Sequence, residues 1–152
     1  MRAIIFLGGL AMAASFVLTW LEAPFAGPEV SPLMMLREGL ITLGSDTSWQ
    51  TWVFIGGFAA AGLAAVISVM GRGAGLLALL AGASPLVVLG DAVIRAEDLR
   101  RDLGLPFPVD FGDIAQSWEL LQDFIRLGFW AYTGGAVLLL VAGMSVVFGP
   151  RR

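Results

Sequence analysis

Asp91 and Arg95 stand four residues apart at the end of a long apolar stretch, an acid before a base. On a helix that spacing puts both on one face, where they form an ion pair. An ionisable residue beside a membrane span is a functional candidate with a named partner, so this pair is the first place to look for proton-coupled chemistry. Its position at the span's end, within reach of water, fits an ordinary helix-surface ion pair as well. Glu97, Asp98, Asp102, Asp110 and Asp113 follow closely and offer the oxygen ligands that calcium takes. Their spacing matches no calcium loop, the EF-hand included, and a solvated acidic rim accounts for them. No metal site and no cofactor is expected.

Other chemistries lack their residue types. The chain has no Cys and no His, and all nine of its basic residues are arginine. Thiol nucleophiles, zinc thiolates, Schiff bases and imidazole general bases are therefore excluded. Serines are present with no histidine to activate them. Two carboxylates can do acid–base work, but nothing in the spacing fixes such a pair, and the chain is not expected to be an enzyme. The net charge of −3 argues against nucleic acid, which needs a basic face.

What must position these residues is a set of apolar helices. Of the 152 residues, 58% are hydrophobic and 14% charged, well below the quarter that is charged in an ordinary soluble domain. The expected fold is all-α and integral to a membrane: one bundle of four transmembrane helices over about 3–21, 50–70, 74–94 and 127–149. Outer loops fall at 22–49 and 95–126, and an inner turn at 71–73. Each apolar run reaches roughly 27 Å or more at ~1.5 Å per residue, close to the ~30 Å hydrocarbon core.

Charge sorting gives the direction. All twelve carboxylates lie in the two long connections, whereas Arg2, Arg72, Arg151 and Arg152 share the remaining polar segments with no acid. The positive-inside rule then puts both termini in the cytoplasm and both long loops outside. The arginine margin is narrow, four against five, but Arg37 lies mid-loop and the arginines of the second loop have acidic neighbours. Met1-Arg2 before an apolar run also fits a signal peptide, although the run is long for one and Ala23-Pro24-Phe25-Ala26 is a poor cleavage site. The cysteine-free build with short loops suggests a bacterial inner membrane.

Trp20, Trp49, Trp52, Trp130 and Tyr132 fall at the outer ends of the spans, where amphipathic rings anchor. Trp49, Trp52, Trp118 and Trp130 are also the candidate surface for a partner or ligand. Small residues recur four apart: Gly9 and Ala13; Gly57, Ala61 and Ala65; Ala74, Ala78 and Gly82; Ala131 and Gly135. That spacing lets helix backbones approach closely, either within the bundle or against another membrane subunit. Both outer loops are expected to carry a short amphipathic helix. The first is capped by Ser31 and ended by Gly44, with Leu33, Leu36, Leu40 and Leu43 on one stripe. The second is capped by Asp113, with Ile114, Trp118, Leu121 and Ile125 on one face.

In outline the chain is similar to claudin-type proteins, with four spans, a long first outer loop and a short inner turn, and to the small membrane subunits of TRAP transporters. Trp49-Gln50-Thr51-Trp52 stands where the claudin loop has Trp-Gly-Leu-Trp beside a cysteine pair, and this chain has no cysteine. Neither likeness transfers a residue. The expected role is an accessory or assembly subunit of a larger inner-membrane complex, in contact with the lipid bilayer and other membrane subunits. The alternative is a small transporter component or a binder of lipophilic ligands, which requires a pocket near Trp118, Trp130 and Asp91.

Overall fold

Apolar sequence broken at Met70–Gly73 gives two long helices back to back. Gly71 takes φ +77, a left-handed turn that a residue with a Cβ adopts at a cost. In the computed structural model, residues 1–21, 29–39, 41–71, 73–102 and 125–149 are described, with side chains beyond Arg95 omitted up to Asp102. The helices are α1 (Arg2–Ser15), α2 (Pro32–Arg37), α3 (Trp49–Val69), α4 (Gly75–Asp102) and α5 (Leu127–Phe148). Trp49–Val69, Gly75–Arg95 and Leu127–Phe148 are each long and apolar enough to cross a membrane, and α1 is a shorter apolar helix. This is the build of a multi-pass membrane protein. α1 and α4 each pack against both α3 and α5 and face one another across the diagonal.

The packing is inverted relative to a soluble protein. Ala61, Ala64, Ala78, Ala81 and Ala142 are fully buried, whereas Leu63, Val66, Leu80, Leu86 and Val141 are each more than half exposed. Large aliphatic side chains outside and small ones inside suit a hydrocarbon solvent. There close backbone approach, not burial of leucine, holds helices together. The buried stripe of α5 runs Gly128, Tyr132, Gly135, Leu139 and Ala142, the alternating spacing of four and three that keeps one seam against its neighbours. The recurring small residues thus lie inside the bundle: Gly9 meets Ala61 and Ala65, Gly57 meets Ser84, and Gly135 meets Gly8 and Met12.

Pro85 lies inside α4. It has no N–H to give the carbonyl four residues back, Ala81 O. The Ser84 hydroxyl donates to that oxygen at 2.8 Å, which is how a proline is tolerated at membrane depth. Ser84→Ala is expected to leave this buried carbonyl without a donor and to lower stability by about 1–3 kcal/mol. Ser84→Thr retains the hydroxyl and should retain part of that stability. Thermal unfolding of the two variants in detergent measures the difference.

The first apolar run departs from a straight span over 3–21. Its helix stops at Ser15, a rise of about 21 Å, and the backbone then turns through Phe16–Leu18 and leaves the helical path. The cause is a set of competing partners for the orphan carbonyls at a helix end. The Ser15 hydroxyl donates to Met12 O, the Trp20 indole to Ser15 O at 2.8 Å, and Leu33 N to Phe16 O. At the opposite end of the bundle, Arg2 lies beside the Gly71 turn and Gly75 packs on Val146.

The first loop helix is also shorter than the sequence pattern. Ser31 caps α2, accepting from Met34 N at 3.1 Å, and Pro32 opens the first turn. The helix ends six residues on, because Gly39 takes φ +73 in place of Gly44. The polypeptide beyond is closed by Thr47, whose hydroxyl donates to Thr42 O and accepts from Gly44 N. The expected helix of the second loop, with Trp118, lies outside the described residues. α4 runs unbroken past Asp91 to Asp102.

Candidate functional site

Backbone pairing gathers the end of the bundle where α3 and α5 begin into a clasp. Trp20 N donates to Val30 O at 2.8 Å, and Val30 N donates to Leu21 O at 2.9 Å. On the other side Arg126 N donates to Trp20 O and Gly128 N to Thr19 O. Leu21 forms isolated antiparallel bridges to both Val30 and Ile125. Segments that adjoin the first and second long loops therefore meet on one short stretch of backbone. Gly128 is required where it stands, since a Cβ there would lie 2.6 Å from Thr19 O.

Tyr132 is buried rather than placed as a surface anchor, and Trp20 is partly buried beside it. Trp20 turns inward, its ring 4.7 Å from that of Tyr132 and 6.0–6.3 Å from those of Phe54, Phe58 and Phe129. Its indole N–H is satisfied locally on Ser15 O, so the ring is free to enter the core. Tyr132 is buried, with its hydroxyl in hydrogen-bonding reach of the Ser84 side chain. Trp49, Trp52 and Trp130 are instead each about half exposed at the starts of α3 and α5.

Asp91 accepts twice on one oxygen: from Arg95 Nε at 2.8 Å and from Gln50 Nε2 at 2.9 Å. The first partner lies one turn along α4. The second comes from α3 and was not singled out in the sequence, although Gln50 is the sole polar amide between the paired tryptophans Trp49 and Trp52. The arrangement pins α3 to α4 near the start of α3. Arg95 is 65% exposed at its side chain and Asp91 23%, so the pair itself contributes at most about 1 kcal/mol. Asp91→Asn retains an oxygen for Gln50 and removes only the charge. It is expected to shift stability by less than about 1 kcal/mol, whereas Asp91→Leu loses both donors and should cost more. Unfolding of the two variants followed by circular dichroism checks the order.

Two concavities flank this end. An open polar cleft of about 470 Å³ lies between Leu18, Thr19, Glu29, Arg126 and Leu127, where the Thr19 hydroxyl donates to Glu29 at 2.8 Å. The other is an apolar groove of about 260 Å³ between α4 and α5, walled by Gly82, Pro85 and Leu89 on one side and Phe129, Tyr132 and Leu140 on the other. Neither Trp130 nor Asp91 lines it, and Trp118 lies outside the described residues. Among the described residues no group of three His, Cys, Asp or Glu side chains is placed to hold a metal; the acidic side chains from Glu97 to Asp123 lie outside them.

Comparison with protein-family models, curated proteins and solved structures finds no match for this chain. The functional reading rests on the geometry of the clasp, the Gln50–Asp91–Arg95 link and the groove.

Proposed function

We propose that this chain is a non-enzymatic membrane protein of four spans that serves as an accessory or assembly subunit of a larger inner-membrane complex. The observation that carries the reading is the clasp. By tying Val30 and Ile125 to Leu21, it fixes the approaches of both long loops relative to the helices. A fixed outer end bearing the half-exposed Trp49, Trp52 and Trp130 makes a platform for a partner, since rigid aromatic residues lose little entropy on binding. The fourth span is the first apolar run. Gly128 N on Thr19 O puts residue 19 level with the start of α5, while Arg2 is level with the α3–α4 turn. Both loops then share one aqueous compartment, with the termini in the cytoplasm.

Purification in mild detergent with mass spectrometry tests the role. A stoichiometric membrane partner, lost when Trp49 and Trp52 are both replaced by Ala, supports it. A partner-free protein whose deletion disturbs no membrane complex overturns it. A second reading, a small transporter component or lipophilic-ligand binder, is favoured by one observation, the apolar groove between α4 and α5.

A further inference from the structure

We propose that the α4–α5 groove holds one acyl chain of a phospholipid from the outer leaflet. The inference deepens the binder reading and is independent of the subunit reading, since a bundle without a partner still has the groove. Three features of the groove select this occupant.

The first is length. Along α5 the walls run from Phe129 to Leu140, a rise of about 16 Å at ~1.5 Å per residue. Half of a ~30 Å hydrocarbon core is about 15 Å. The groove begins two residues inside α5, at its outer end, and closes at Leu140, just past the middle of α5, and at Gly82, in the first third of α4. Gly82 closes it because α4 and α5 touch there backbone to backbone: a Cβ would lie 2.5 Å from Leu140 N and 2.7 Å from Ala136 O. The recess is therefore one leaflet deep.

The second is width. A volume of about 260 Å³ spread over that length makes a narrow furrow, which a single file of carbon atoms with neighbours about 4 Å away fills. The volume is also below the ~300–1,000 Å³ of pockets for drug-sized ligands.

The third is chemistry. Apart from the hydroxyls of Tyr132 and Thr133 the lining is aliphatic or aromatic, and Tyr132 already meets Ser84. The rim residues Leu86 and Val137 belong to the exposed aliphatic belt, so the groove opens toward acyl chains, not water. Pro85 and Gly82 make the recess. Neither offers a long side chain to fill it.

The test uses the full-length protein purified in detergent with added phosphatidylglycerol and observed by native mass spectrometry. The wild type is expected to retain one phospholipid per chain at detergent concentrations that strip the rest. Val137→Trp fills the rim from an exposed position and is expected to lower the retained fraction at least tenfold. Val141→Trp, equally exposed on α5 but outside the groove, should retain the lipid. Retention of a different lipophilic molecule, displaced by Val137→Trp, would overturn the acyl-chain assignment and leave the binder reading standing. An empty wild-type protein would overturn both. Equal loss in the two tryptophan variants, or a second protein chain cross-linked through Val137→Cys in place of lipid, would also overturn the proposal.

Discussion

Gly135→Leu is expected to prevent assembly of the bundle, while Gly134→Leu, one residue earlier, is expected to leave it intact. At Gly135 a Cβ would lie 2.7 Å from both Gly8 O and Met12 N, atoms of the α1 backbone that cannot rotate aside. At Gly134 a Cβ meets nothing within 4 Å. The first change forces α1 and α5 apart along the seam they share and opens the contacts of Met12 and Leu139, both fully buried. Overpacking that a core absorbs costs about 1–3 kcal/mol, and backbone against backbone absorbs less than side chain against side chain. Against a total stability of about 5–15 kcal/mol, loss of the α1 interface is disabling. The monodisperse fraction on size-exclusion chromatography in detergent, and the protease resistance of that fraction, give the comparison. Equal behaviour of the two variants would mean that α1 does not lie against α5 at this glycine.

The same contrast explains how much of the architecture is legible in the chain. Uncharged runs bounded by arginine or acid mark where long helices lie, because hydrocarbon tolerates neither charge nor unpaired backbone. Three long helices and the Gly71 turn follow from that alone. Spacing of small residues marks faces of close approach, but not whether the facing helix belongs to the same chain. The structure places Gly9, Gly57, Ala61, Ala65, Ala78, Gly82 and Gly135 against neighbours within the bundle. That withdraws this stripe as support for a docking face.

The less legible features depend on atoms distant in sequence. Trp20 reads as an interfacial anchor because a tryptophan at the end of an apolar run usually is one. Only the fold reveals that its N–H caps Ser15 O and that four other rings surround it. The end of α1 at Ser15 has no Gly or Pro to announce it. It is set by donors from Ser15, Trp20 and Leu33, the last of which adjoins it only in three dimensions. Gln50 carries no local sign of its role for the same reason, since its partner Asp91 lies 41 residues away. The groove did leave a local sign: Gly82 and Pro85 within an apolar span, one unable to fill space and the other unable to complete the helix ladder.

Trp20→Ala is expected to be the most damaging single truncation at the clasped end of the bundle, and its effect should separate into two parts. Removing a fully buried aromatic typically costs about 3–5 kcal/mol; Trp20 is partly buried, which puts it at the lower end, and its ring is the centre on which α3 and α5 converge through Phe54, Phe58, Phe129 and Tyr132. Trp20→Phe keeps most of that packing and removes only the donor to Ser15 O, for which the cost is about 1–3 kcal/mol. Trp49→Ala, at a half-exposed position, should change stability by no more than about 0.5 kcal/mol. The midpoints of thermal unfolding should therefore fall in the order Trp49→Ala, Trp20→Phe, Trp20→Ala. Because Trp20 N and O also hold Val30 and Arg126, limited proteolysis adds a second readout. Cleavage between residues 21 and 30 should accelerate in Trp20→Ala and stay at the wild-type rate in Trp49→Ala. If Trp20→Ala were as stable as Trp49→Ala, the ring would lie at the membrane surface after all, and the clasp would not bind the loops to the bundle.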